Sequence, residues 1–339
     1  MTPSTARVAI VTGGSGGIGQ AVAERLARDG LSVVVHYAGN SARAGEVVET
    51  ITSAGGTAIC ARADVADERA VARLFDLTER TYGGVDVVVH AAGRMDLAPL
   101  ADMDLDVLDQ MLRTNVRGTF VVDQQAARRL SPGGSILNFS SSVIGRVLPG
   151  YTGYAASKGA VEAMTFILAH ELRGRDITVN AIAPGPTATP LFFEGKDEQA
   201  IDRFAHAAPL ERLGTPADIA EVAAFLVSPA GHWVNGQTVR ANGGLILTKK
   251  SKSFSAERSV VRPPLPARAP GGQAAGGSSP RAAASSCRRR RATFPVGPTG
   301  SSGTRWNAAG RLGRGNAASQ ASRSASSSGW PGPGPAGTT

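Results

Sequence analysis

The chain is short of cysteine, of aromatic side chains and of long apolar runs, and each shortage removes a class of protein. Only Cys60 and Cys287 occur among 339 residues, so no disulfide framework organises the fold. Neither cysteine has a second Cys or a His at metal-ligand spacing, and no metal site is expected. No run of about 18 apolar residues exists, which excludes a membrane-spanning helix. The stretch from Met1 to Arg7 leads into a short strand rather than the apolar region of a signal peptide, so a cytoplasmic location is expected.

Acidic residues are scarce in one region only. Residues 1–248 carry 21 basic and 26 acidic side chains, a net −5, whereas 249–339 carry 15 basic and one acidic, a net +14. The overall charge of +9 therefore belongs to the tail. From Lys249 onward Ile and Met are absent, half of the 20 prolines are found there, and Arg288 to Arg291 form a basic run. Such a composition cannot bury enough apolar surface to offset its ordering entropy. We read 249–339 as a disordered, basic, low-complexity tail beyond a folded domain at 1–248. Its charge can hold nucleic acid non-specifically, but it has few aromatics for base stacking. Its Arg, Pro, Gly, Ala and Ser bias is also what a shifted reading frame in GC-rich DNA yields, which favours a dispensable extension.

What is present alternates. Short β-branched runs recur at Val8–Val11, Ser32–Tyr37, Thr57–Ala61, Val85–His90, Ser135–Ser140, Ile177–Ile182 and Gln237–Arg240. Between most of them lie stretches with helical apolar spacing, such as Ile18, Val22 and Leu26, or Val71, Leu74, Phe75 and Leu77. Apolar strands separated by helices indicate a parallel sheet covered on both faces. Right-handed crossovers then make it a doubly wound, seven-stranded Rossmann-type α/β sheet.

The first strand runs into Thr12-Gly13-Gly14-Ser15-Gly16-Gly17-Ile18-Gly19 and an alanine-rich helix. Glycines permit a tight turn and let backbone N–H groups reach a pyrophosphate, which a helix N-terminus favours. Gly13, Ser15, Gly17, Ile18 and Gly19 form the expected cradle. An Asp or Glu at the end of the second strand would bind ribose hydroxyls and repel a 2′-phosphate. The chain instead has Tyr37-Ala38-Gly39-Asn40-Ser41, with no carboxylate before Glu46. Tyr37, Asn40 and Ser41 thus favour NADP, with NAD the alternative, and Asn40 or Ser41 equally suits a helix N-cap.

After the fifth strand come Ser140-Ser141-Ser142, a Pro149-Gly150 loop, and Tyr154-Ala155-Ala156-Ser157-Lys158 opening a helix. Tyr154 and Lys158, at i and i+4, lie on one helical face. A cation beside a phenol favours the phenolate and draws its pKa down from ~10. Tyr154 is therefore expected to act as a general acid toward a ketone or a base toward an alcohol.

Together these motifs resemble the short-chain dehydrogenase/reductase family over about residues 6–247, and in particular 3-oxoacyl-carrier-protein reductases and related NADP-dependent ketoreductases. Thr12–Gly19 matches the family's TGxxxGxG loop and Tyr154–Lys158 its YxxxK. The resemblance implies further roles. Asp64 and Val65 would meet the adenine end, and Ala91 and Gly93 would lie against the cofactor, in His90-Ala91-Ala92-Gly93 where the family has NNAG. Pro184, Gly185, Thr187 and Thr189 would touch the nicotinamide. Asn115, Ser141, Tyr154 and Lys158 would be the catalytic set, transferring hydride between NADPH and a ketone or secondary alcohol. The resemblance also implies a homotetramer or dimer, and a small-molecule substrate. His90 is expected to be a packed strand-end histidine. The chain departs from the family at Gly16, where many NADP-dependent relatives carry Arg. Two alternatives stand beside this reading: a non-catalytic dinucleotide-binding regulator on the same fold, and an NAD-dependent secondary-alcohol or sugar dehydrogenase. Between Pro186 and Pro209 a mobile lid is expected, whose Phe192 and Phe193, with Leu148 and Tyr151, either line an apolar pocket or pack the lid down.

Overall fold

Successive residues of the first strand point to opposite sides of the sheet, and both sides are apolar. Ala9 and Val11 join one core cluster and Ile10 the other; Val33 and Val35 against Val34, and Val87 and Val89 against Val88, repeat the division. The computed structural model describes residues 6–146 and 148–245. The expected domain boundary at 248 and the basic tail lie outside the described residues.

Strands β1 (Val8–Thr12), β2 (Ser32–Tyr37), β3 (Thr57–Arg62), β4 (Val87–His90), β5 (Ser135–Phe139), β6 (Thr178–Pro184) and β7 (Thr238–Ala241) form one parallel sheet in the order β3-β2-β1-β4-β5-β6-β7. All seven expected strands are present, with ends shifted by no more than two residues. Helices α1 (Gly17–Arg28), α2 (Ser41–Ser53) and α9 (Pro216–Val227) contribute Val22, Val47 and Ile219 to the first cluster. Helices α3 (Glu68–Tyr82), α5 (Gly118–Arg129) and α6 (Thr152–Glu171) contribute Phe75, Val122 and Ala169 to the second. Side chains start several helices: Asn40 Oδ1 accepts from Arg43 N, Asp67 Oδ1 from Arg69 N and Ala70 N, and Thr215 with Asp218 forms a capping box.

Helix α4 (Leu105–Leu112) continues into α5 through a π-helical turn at Arg113–Arg117. After β6 come α7 (Pro190–Phe193) and α8 (Glu198–His206), where the lid was expected. Because β1 is flanked by β2 on one side and β4 on the other, strand order reverses there. The crevice beyond the C-terminal ends of β1 and β4 is where such sheets bind ligands.

Candidate active site

The glycine loop is held by contacts that tolerate no side chain. Gly13 has φ +67°, and a Cβ there would lie 2.9 Å from Ala92 Cα; one at Gly19 would lie 2.3 Å from the Gly13 carbonyl oxygen. The loop is thus folded onto α1 and pressed against the exit of β4, leaving a cradle that backbone alone can shape. Gly17, φ +54°, sits beneath the Thr189 methyl, 3.6 Å from where its Cβ would be. Ser15 and Ile18 complete the turn, and Ile18 lines the central cavity.

His36, which sequence reasoning gave no role, fastens this loop. Its Nδ1 accepts from Gly13 N at 3.1 Å, its Nε2 donates to Ala63 O at 3.0 Å, and its carbonyl accepts from Gly14 N at 3.0 Å. Burial lowers its pKa to about 4, so the ring is neutral and free to accept at Nδ1. The one imidazole in an otherwise valine-rich strand end was the available signal.

At the end of β2, Asn40 is the N-cap of α2, Ser41 is exposed, and Tyr37 packs its ring partly against the core. The charge that Gly16 withholds arrives from elsewhere: the Arg43 guanidinium lies 3.6 Å from the position of a Gly16 Cβ. Arg62 Nε donates to Ala38 O at 3.1 Å on the other side of the same loop. Sequence reasoning missed both arginines; Arg43 falls three residues after the cap, where a first-turn side chain can reach back over the glycine loop. Asp64 is engaged, its Oδ1 by Ala66 N at 2.9 Å and its Oδ2 by Arg113 at 2.7 Å. Val65 is buried against Gly118, where a Cβ would lie 2.8 Å from Val65 Cγ2.

The four residues expected to be catalytic come from three segments. Asn115 lies in the π-helical turn, buried, with Oδ1 accepting from Arg94 N at 2.9 Å and Nδ2 donating to Arg94 O at 2.9 Å and to Ser157 Oγ at 3.0 Å. Lys158, buried on α6, donates from Nζ to Phe139 O at 2.8 Å. Asn115 and Lys158 converge on Gly93, where a Cβ would lie 3.2 Å from Asn115 Oδ1 and 3.5 Å from Lys158 Nζ. Ser141 caps the 3₁₀ turn Ser142–Gly145, accepting from Val143 N at 3.3 Å. Ser141, Tyr154 and Lys158 line one cavity together with Ala91, Gly93, Pro184, Gly185, Thr187 and Thr189.

The electrostatics of the pair differ from the sequence expectation. Burial pushes the Tyr154 phenol up to about 12, opposed by its hydrogen bond with Ser141, while Lys158 stands 5.9 Å from the ring centroid with its proton given to a backbone carbonyl. Desolvation sets the direction of the shift, and the phenol keeps its proton at neutral pH. The same burial lowers Lys158 to about 8. His90 is packed as expected, its Nδ1 bonded to Thr12 Oγ1 at 2.8 Å and its pKa lowered to about 3 by burial.

The cavity has a volume of about 170 Å³. Leu148, Tyr151 and Phe192 line it, whereas Phe193 does not; that ring instead meets Phe192 edge-on, centroids 5.6 Å apart. Thr189 caps α7 through Phe192 N, with 3.2 Å between Oγ1 and the nitrogen, and Thr187 bridges to Gly214.

A backbone cradle at the switch point of a doubly wound sheet, opening onto a proton-bearing phenol, defines a dinucleotide-dependent oxidoreductase. Comparison with known proteins gives the family. The family model described as Enoyl-(Acyl carrier protein) reductase matches residues 13–246. A short-chain type dehydrogenase/reductase of Picea abies is 45% identical over 250 residues, covering 71% of this chain and 92% of that protein. The NADPH-dependent aldehyde reductase 2, chloroplastic, of Arabidopsis thaliana is 40% identical over 256 residues, covering 71% and 94%. Among solved structures, a short-chain dehydrogenase from Burkholderia cenocepacia in complex with NADP is similar at TM-score 0.67 and 39% identity, covering 70% of this chain and 97% of that one. The chain belongs to the short-chain dehydrogenase/reductase family, whose members are NAD(P)-dependent oxidoreductases.

Proposed function

We propose that the protein is an NADPH-dependent reductase of ketones or aldehydes, running the reverse oxidation of secondary alcohols by the same residues. The observation that carries this reading is the half-buried, proton-bearing Tyr154 beside Ser141 in a cavity that Ile18 of the glycine loop also lines. The cradle fits a dinucleotide, since Gly13 and Gly19 let the loop close tightly at the N-terminus of α1, where backbone N–H groups favour a pyrophosphate, and a side chain at Gly93 would crowd Asn115 and Lys158. Gly13, Ser15, Gly17, Ile18 and Gly19 would hold its pyrophosphate, Asp64 and Val65 its adenine end, and Ala91, Gly93, Pro184, Gly185, Thr187 and Thr189 its nicotinamide end. Tyr37, Asn40, Ser41 and Arg43 would meet the ribose 2′-phosphate, for which a guanidinium at Gly16 is the strongest support. When bound, NADPH supplies the hydride.

The chain's own residues handle orientation and the proton. The Ser141 hydroxyl donates to the substrate carbonyl oxygen and fixes its position. Tyr154 Oη delivers its proton to that oxygen as charge develops there. Lys158 holds ribose hydroxyls, and its cationic form, favoured once carboxyl-free burial is relieved by those oxygens, steadies the phenolate left behind. Asn115 is a positioning residue: through Ser157 Oγ, which donates to Tyr154 O at 2.8 Å, it ties the π-helical turn to the first turn of α6. Exposed Phe120, Phe166 and Ile167 on α5 and α6 support a homo-oligomer that covers them.

The test is kcat/KM for NADPH and NADH side by side on one panel of ketones and aldehydes. NADPH should be preferred by roughly tenfold to a few hundredfold, the range of one or two charge-assisted bonds. A preference for NADH would show that Asn40, Ser41 and Arg43 serve only as the start of a helix.

A further inference from the structure

The wall of the cavity contains a charge that the reaction described above does not use. No Asp or Glu lines the cavity among the described residues, while three cations do: Arg94, Arg146 and Lys158. Two of these are matched. Arg94 is ion-paired to Asp96, with Nε 2.7 Å from Oδ2 and Nη2 3.1 Å from Oδ1, and its Nη1 donates to Gln110 Oε1 at 2.9 Å. Lys158 donates to Phe139 O.

Arg146 is not matched. It follows the 3₁₀ turn that Ser141 caps, and its backbone N–H donates to Val143 O at 3.0 Å. Its Nη1 is buried and has no hydrogen-bond partner among the described residues. A guanidinium carries five donors and no acceptor, and leaving one of them dry is unfavourable. The cavity that it lines has Met95, Val143, Leu148 and Leu191 on its apolar walls. Arg146 already acts on its surroundings, drawing down the Tyr151 phenol that burial pushes up. A second cation stands nearby: Lys196 Nζ, without a hydrogen bond among the described residues though in the field of Glu194, lies 5.0 Å over the ring of Phe192, which lines the cavity.

We propose that Arg146 selects the substrate, taking a carbonyl compound whose apolar body carries an anionic oxygen group, a carboxylate or an ionised enol. The reducible carbonyl then lies at Ser141 and Tyr154, the body against Leu148 and Phe192, and the anion on the guanidinium. This rests on the reading of the site as a carbonyl reductase. It deepens that reading by fixing the chemistry at the far side of the substrate, where a charge-assisted bond in a largely apolar cavity discriminates strongly.

The test uses matched pairs: acetylbenzoate against its methyl ester, and a hydroxynaphthoquinone ionised at the assay pH against its methyl ether. The quantity read is the ratio of kcat/KM for the anion to that for the neutral partner. The wild type should favour the anion in at least one pair, the first pair reporting on carboxylates and the second on enolates. Arg146→Met should lower that ratio by about 10- to 100-fold, chiefly through KM, and Arg146→Lys should retain part of it. Raising salt on the wild type, which needs no folded variant, should lower the ratio because the pairing is electrostatic. A wild-type preference for the neutral member of both pairs, a ratio in Arg146→Met within about threefold of wild type, or a ratio indifferent to salt would each overturn the proposal. Inactivity of the wild type toward every carbonyl, with either cofactor, would overturn the reductase reading itself and this inference with it.

Discussion

The two ends of the cleft are built from different materials. At the cradle end, shape comes from backbone: Gly13 and Gly19 approach neighbouring main chain so closely that a single methyl would collide. At the reaction end, shape comes from buried polar side chains, with Asn115, Lys158 and Ser157 bonded across three segments. The first end binds a constant partner by filling space correctly. The second must hold a proton and orient a carbonyl, which only side-chain chemistry can do. A fault at the first end should therefore appear as lost stability and lost cofactor binding, and a fault at the second as lost turnover in an intact fold.

The sharpest separation comes from Tyr154→Phe. Removal of the hydroxyl should lower kcat by about 10²–10⁴ while the melting temperature and NADPH affinity stay near wild type; turnover within threefold would remove Tyr154 from the proton's path. Gly19→Ala should do the opposite. A methyl 2.3 Å from the Gly13 carbonyl forces backbone apart, and denaturant unfolding should show a loss of about 3 kcal/mol, at the upper end of overpacking costs. Next comes Arg43→Ala, which should cost NADPH roughly 10- to 100-fold in kcat/KM and leave NADH nearly unchanged. If both cofactors fell together, the arginine would be a structural part of the loop rather than a 2′-phosphate ligand.

The smallest effect is a slope. His36 and His90 titrate at about 4 and about 3 in the fold against 6.5 outside it, so each contributes stability that is present above 6.5 and lost as pH falls. Asp123, buried behind the reaction end and bonded to Asn138 Nδ2 at 2.9 Å, is raised from 3.8 to about 7 and acts in the opposite sense, its contribution being lost as pH rises. Between pH 4 and 6.5 two histidines oppose one carboxyl, so stability should rise with pH by about 1.4 kcal/mol per unit. Asp123→Asn removes the opposing group, and the slope from denaturant unfolding at three pH values should become about twice as steep. An unchanged slope in that variant would show that Asp123 is ionised in the fold.

The same contrast explains what was legible in the sequence. Gly13 and Gly19 admit no side chain, so Thr12–Gly19 could be read directly, as could the strands, whose valines face two cores. Tyr154 and Lys158 were readable because one helix turn joins them. Arg43 was not, because its meaning depends on the α2 N-terminus lying over Gly16. His36 was hidden for a similar reason, since a histidine in a strand gives no sign of which backbone groups it will join. The direction of the Tyr154 shift was not legible, because spacing shows the neighbouring cation but not the burial that raises the phenol. Phe192 and Phe193 were left between lining a pocket and packing the lid, because neighbouring residues of a short helix point about 100° apart; Phe192 lines the cavity and Phe193 packs edge-on against it.

The π-helical turn between α4 and α5 has a consequence of phase. An α-helix advances about 100° per residue, and a π-helical turn takes up one residue more, so the residues after it sit about 100° behind where a regular helix would carry them. Met111 before the turn and Val121, Val122 and Ala126 after it are all buried; in a regular helix Met111 and Val122, eleven residues apart, would share one face, which the π-helical turn separates. Asn115 occupies the seam, where Thr119 Oγ1 donates at 2.7 Å to the Asn115 carbonyl. Removing one residue from Arg113–Arg117 would restore a regular helix and keep the phase on either side of it, while taking the Asn115 amide away from Arg94 and Ser157. The extra residue serves the amide, which exists at its present angle because the helix there is irregular.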